Sequence, residues 1–136
     1  MIDKEIIKIA SNTENHGVLD NHTHFSKLKN SICGDEMRVY LIVKDGKIAN
    51  FKYECESCIY CQASVSLLSR SAINKSIEKV KNFAELAKNC FKKNAKSFSK
   101  EWKEFDKIMT INNISRKECL LLPVNTTLDA LNKKSL

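Results

Sequence analysis

Glycine and proline are scarce in this 136-residue chain, three and one respectively, which leaves too few glycines for a phosphate-cradling loop. The H-E-x-x-H, G-x-S-x-G and P-loop signatures are missing as well, so small-molecule hydrolysis has no foothold. Apolar runs such as Leu120-Leu121-Leu122 fall far short of the ~20 residues that a membrane helix needs. The opening Met1-Ile2-Asp3-Lys4-Glu5 carries no secretory apolar core, so a cytoplasmic chain without a membrane partner is expected. Arginine is rare too. Arg38, Arg70 and Arg116 stand against twenty lysines, and base-edge readout favours arginine forks. Despite a formal charge of +7, nucleic acid is therefore not the expected partner. Ten lysines against five acids fall between Lys75 and Lys107, which reads as a solvated face.

What remains has the composition of one ordinary domain, expected to span residues 1–136, with 43% apolar and 29% charged residues. Six cysteines are present: Cys33, Cys55, Cys58, Cys61, Cys90 and Cys119. In a reducing compartment such thiols are more often metal ligands or reactive groups than disulfide partners.

Ile2, Ile6, Ile9 and Ala10 predict a short opening helix that ends near Asn12. A weakly patterned strand follows over His22 to Lys29. From Met37 to Tyr53, two alternating runs flank Asp45-Gly46, the mark of a hairpin. Ser57 is the expected N-cap of a helix carrying Ile59, Ala63, Leu67 and Ile73, with Cys58 at its start. Ser76 caps the next helix, whose inward positions are Ile77, Val80, Ala84 and Ala87. Phe98, Trp102, Phe105 and Met109, at steps of four, three and four, predict another with a buried face. Ser115-Arg116-Lys117-Glu118 fits the capping box and puts Cys119 in a first helical turn, with Pro123 expected to kink the helix and free the Cys119 carbonyl. Strands followed by a run of helices predict a two-layer α+β domain, an antiparallel sheet covered on one face.

Cys33-Gly34-Asp35 places a thiol and a carboxylate two residues apart around a glycine. Cys58 and Cys119 are both expected at helix N-termini, where the dipole and free amides lower a thiol's pKa. If the three thiols converge with Asp35, they form a Cys3Asp shell suited to zinc or to the edge of a cluster. Cys55-x2-Cys58-x2-Cys61 has ferredoxin spacing but lacks the continuation x3-Cys-Pro. Zinc-finger spacing fails too, and nothing ties His16, His22 or His24 to a particular thiol.

Four stretches together carry a resemblance: Asn15-His16-Gly17-Val18-Leu19, Asn30-Ser31-Ile32-Cys33-Gly34-Asp35, Cys58-Ile59-Tyr60-Cys61-Gln62-Ala63-Ser64-Val65-Ser66, and Ser115-Arg116-Lys117-Glu118-Cys119. The chain resembles the IscU/SufU family of iron–sulfur cluster assembly proteins, found also as the N-terminal domain of NifU. The resemblance implies a three-stranded antiparallel sheet packed against several helices, and it puts the metal or cluster ligands on Cys33, Asp35, Cys58 and Cys119. It also implies a transient cluster of 2Fe-2S type or Zn2+ as cofactor, a pyridoxal-phosphate cysteine desulfurase as sulfur donor, and acceptor apoproteins as further partners. Cys33 is then the candidate persulfide acceptor, a scaffold role rather than that of a small-molecule enzyme.

The chain departs from the family pattern at Ser31, Cys55, Ser57 and Cys61. Glu118 before the third ligand cysteine, and a step of 61 positions from Cys58 to Cys119, resemble the SufU-like type. That leaves two rivals to the scaffold: a zinc-dependent sulfurtransferase that holds no cluster, and, more weakly, a zinc-stabilised basic nucleic-acid-binding module. Cys61 is open to three roles, as spare ligand, sulfur relay or small buried hydrophobe.

Overall fold

A computed structural model describes residues 3–133. The first helix, α1 (Lys4–Ala10), is capped by Asp3, whose side chain accepts from the Glu5 amide, and buries Ile6, Ile9 and Ala10. Ile2, assigned to the same face from sequence, lies outside the described residues.

Three strands follow, β1 (His24–Lys29), β2 (Glu36–Lys44) and β3 (Lys47–Glu56), in one antiparallel sheet of order β1-β2-β3. The expected β2–β3 hairpin turns on Asp45 and Gly46, both at positive φ, 54° and 75°. That pair of left-handed residues matches the right-handed twist of the strands. Met37, Val39 and Leu41 alternate into the core. On β3 the buried set is Ile48, Phe51 and Tyr53, because the register passes from Asn50 opposite Ile42 to Ile48 opposite Val43 and leaves Ala49 as the extra residue of a bulge. The other face carries a ladder of ion pairs, Lys27–Glu36, Arg38–Glu36 and Arg38–Glu54.

Helices α2 (Ile59–Ser71) and α4 (Lys117–Asn132) pack together and onto the sheet, and α1 packs on α2. Ser64 on α2 donates to the Leu120 carbonyl of α4 at 2.6 Å and ties the two helices together. Helix α3 (Ile77–Lys88) begins at Ser76, which accepts from the Lys79 amide as expected. Its Phe83 stacks on Trp102, with ring centroids 4.3 Å apart, and leans on Phe98 and Phe105. The two-layer α+β class with a three-stranded antiparallel sheet is thus the observed one.

Several local expectations need correction. Residues Lys100–Lys107 form a 3-10 helix with a kink at Trp102 rather than an α-helix, although Phe98, Trp102, Phe105 and Met109 are all buried as expected. The residue spacing reports a buried face, and a tighter helix satisfies it as well. A second 3-10 segment, Ile111–Arg116, occupies the place of the predicted capping box, and α4 starts from Arg116 with no side-chain cap. Pro123 lies inside α4, which continues past it to Asn132. The lysine-rich stretch is laced by local pairs, Lys79–Glu101, Lys88–Glu85 and Lys107–Glu104, with Lys75 over the Trp102 ring at 5.5 Å.

Candidate metal centre

The loop between β1 and β2 closes on Asn30. The Asn30 amide donates to the Asp35 carbonyl, the Gly34 amide to the Asn30 carbonyl, and the Ile32 amide to the Asn30 side chain. Gly34 takes φ +75°, a conformation that side chains resist, and so lets the chain reverse between Cys33 and Asp35. Cys33 is exposed on this tip, whereas Asp35 is turned inward and only 6% accessible.

Two helix starts meet the tip. Cys58, not Ser57, is the N-cap of α2, with extended backbone and no cap hydrogen bond from its own side chain. The Cys58 amide donates instead to Asp35 Oδ1 at 3.2 Å. The Asp35 carboxylate, on the loop just ahead of β2, thereby accepts from the backbone of the α2 N-cap residue. Cys119 lies in the first turn of α4 and is 5% accessible. Arg116, just ahead of α4, sits over the Tyr60 ring of α2 at 5.1 Å, a cation–π clasp between the two helix starts. Sequence reasoning missed the clasp, since no spacing rule links the two residues.

Among the described residues, the ligand atoms of Cys33, Asp35 and Cys119 lie within 4.8 Å of one another, with the two sulfurs 3.4 Å apart. The Cys58 sulfur is outside this mutual set but close enough to bear on Cys119. Asp35 Oδ2 is buried without any hydrogen-bond partner. A buried carboxylate oxygen left bare beside two sulfurs is costly unless a cation meets it. Two soft sulfurs and one hard oxygen suit zinc or iron. The residues present therefore fit such an ion.

Cys119 departs from the expected thiol acidity. Burial, then the neighbouring Cys33 and Cys58 thiols, push it above the usual range instead of below it, outweighing the helix N-terminus. A metal ion must displace its proton to use it. The other cysteines are not members of the gathered set. Cys61 is fully buried in the core, where burial drives its thiol sharply upward. Cys90 is buried and donates to the Ala87 carbonyl. Cys55 lines a separate cavity with His16, Tyr53 and Gln62. His22 is turned to the Leu19 carbonyl and His24 to Thr23.

The family profile of the NifU-like N-terminal domain matches residues 1–97, which include Cys33, Asp35 and Cys58. A curated relative, the iron-sulfur cluster assembly scaffold protein IscU of Thermotoga maritima, is 31% identical over 137 residues, covering 99% of this chain and 95% of that protein. The chain belongs to this NifU-like, IscU/SufU family. Among solved structures, a putative iron-sulfur cluster assembly scaffold protein for the SUF system from Fervidobacterium islandicum superposes with a TM-score of 0.84 at 26% identity, over 96% of both chains. The N-terminal NifU-like protein of Brucella abortus gives 0.87 at 22% identity, over 95% of this chain and 90% of that one, a likeness of fold alone. The family profile stops before Cys119, so the third sulfur enters the site through the geometry of α4.

Proposed function

We propose that this family member is an iron–sulfur cluster assembly protein, a scaffold rather than a small-molecule enzyme. In this reading Cys33 accepts persulfide sulfur from a pyridoxal-phosphate cysteine desulfurase, and cluster components are built or relayed at Cys33, Asp35, Cys58 and Cys119 for transfer to apoproteins. One observation carries it: the ligand atoms of Cys33, Asp35 and Cys119 gather within 4.8 Å, the two cysteines coming from 86 positions apart, and one Asp35 oxygen is buried without a partner. Cys58 completes a Cys3Asp shell once its side chain turns toward the ion from the N-cap of α2. Exposure of Cys33 gives an incoming persulfide access, while Asp35 and Cys119 stay shielded behind it.

A second reading is a zinc-dependent sulfurtransferase of SufU-like type. Glu118 before Cys119 and the long step from Cys58 favour it. Zinc there would hold the thiols as thiolates and restrain Cys33 until a donor displaces it.

Anaerobic purification with metal and sulfide analysis, followed by reconstitution with iron and sulfide, separates the two. A visible chromophore with stoichiometric iron and sulfide is expected of the scaffold; tight zinc and no chromophore favour the sulfurtransferase. In either case, incubation with a cysteine desulfurase and cysteine should make the chain one sulfur heavier, and Cys33→Ser should abolish the gain. A gain that survives in Cys33→Ser moves the acceptor elsewhere.

A further inference from the structure

Resting on the reading that Cys33 accepts sulfur, we propose that Cys119 is its resolving thiol, which attacks the Cys33 persulfide and releases the outer sulfur as sulfide. The Cys33 and Cys119 sulfurs are 3.4 Å apart. That is inside the roughly 3–3.5 Å window of a near-attack arrangement.

Direction matters as much as distance. Displacement at a sulfur runs in line, with the attacker behind the bond that breaks, and the outcome depends on which sulfur is struck. Cys33 is exposed and Cys119 is buried behind it, so the outer sulfur of a persulfide has room on the solvent side, away from Cys119. The inner sulfur, Cys33 Sγ, is the one that Cys119 reaches. Attack there expels sulfide, whereas attack on the outer sulfur would only move the persulfide from one cysteine to the other.

The atoms balance without an added oxidant. A bond forms between Cys119 Sγ and Cys33 Sγ, and the bond from Cys33 Sγ to the outer sulfur breaks. Cys119 gives up its proton to solvent and attacks as the thiolate; the leaving sulfur takes the electron pair of the broken bond and departs as hydrosulfide. Cys119 is oxidised and the outer sulfur reduced, and a Cys33–Cys119 disulfide remains. A low-molecular-weight thiol of the glutathione class then reopens it. Closing from 3.4 Å to a disulfide length of about 2.05 Å falls on the hairpin tip, where Gly34 sits beside Cys33, while Cys119 is held in a helix.

The test uses the full chain, freed of metal with a chelator and handled without oxygen. One portion is loaded by a cysteine desulfurase with cysteine, another by inorganic polysulfide, and excess donor is removed. The species one sulfur heavier should decay to one two hydrogens lighter than the reduced chain. One sulfide should appear per chain, and peptide mapping should join Cys33 to Cys119. Cys119→Ser should hold the extra sulfur at least about tenfold longer. The wild-type map stands even if that variant folds poorly. Loading by polysulfide but not by the desulfurase overturns the acceptor reading, and sulfide release in the polysulfide portion then still supports the resolving step. A persulfide that persists on wild-type Cys33, or a disulfide joining Cys33 to Cys58, overturns the resolving role of Cys119.

Discussion

Two neighbourhoods in this small domain treat the same side chain in opposite ways. At the edge where the β1–β2 tip meets the starts of α2 and α4, the sulfurs of Cys33 and Cys119 gather with the Asp35 carboxylate, and Cys58 stands beside them at the N-cap of α2. In the interior, Cys61 and Cys90 are buried among apolar residues. The contrast teaches that a cysteine's role is set by what surrounds it: a bare Asp35 oxygen and a neighbouring sulfur at the edge, a mainly apolar packing inside.

The sharpest way to break the contrast is Cys119→Ala, which removes an edge sulfur while leaving the sheet intact. Zinc affinity, read by competition with a chromophoric chelator, should fall by at least about 100-fold, more than loss of an outer-shell group would cost. An unchanged affinity would remove Cys119 from the ligand set. Cys61→Ser reverses the pattern: a hydroxyl placed in the fully buried site should cost about 1–3 kcal/mol in urea unfolding and leave zinc stoichiometry as it was. Loss of metal without loss of stability would make Cys61 a ligand after all.

The smallest of the three effects is in pH. Burial pushes the Cys90 thiol from 9.0 up to about 11, so it stays neutral in the fold where the unfolded chain ionises. Its contribution is whole below about pH 9 and is lost as pH rises toward about 11. Urea midpoints should decline across that window, and Cys90→Ala should make the decline shallower. An identical slope in the variant would show that another group governs alkaline unfolding.

The sequence made some of this plain because the signals were local. Asp45-Gly46 demanded a hairpin, Ser76 a helix start, and Cys33-Gly34-Asp35 a thiol beside a carboxylate, and each is where it was expected. The misses came where helix type, caps and burial had to be decided. Ser57 is the natural cap of α2 by composition, yet the cap falls on Cys58, whose amide is held by Asp35, 23 positions earlier. Ser115 and Glu118 match a capping box, but the segment before α4 winds as a 3-10 helix. The acidity expected of Cys119 from its place in a first turn is overridden by burial. Such competitions are decided by tertiary packing, which no window of neighbouring residues contains.

Asp35 divides its two oxygens between different tasks: one is tethered to the opening amide of α2, the other left bare. In the proposed assembly role, a carboxylate moored in this way would keep the corner in place when cargo leaves, with no need to reassemble it before the next load. Turnover at this edge is thereby uncoupled from refolding, and a small domain is spared a fresh ordering cost at every cycle.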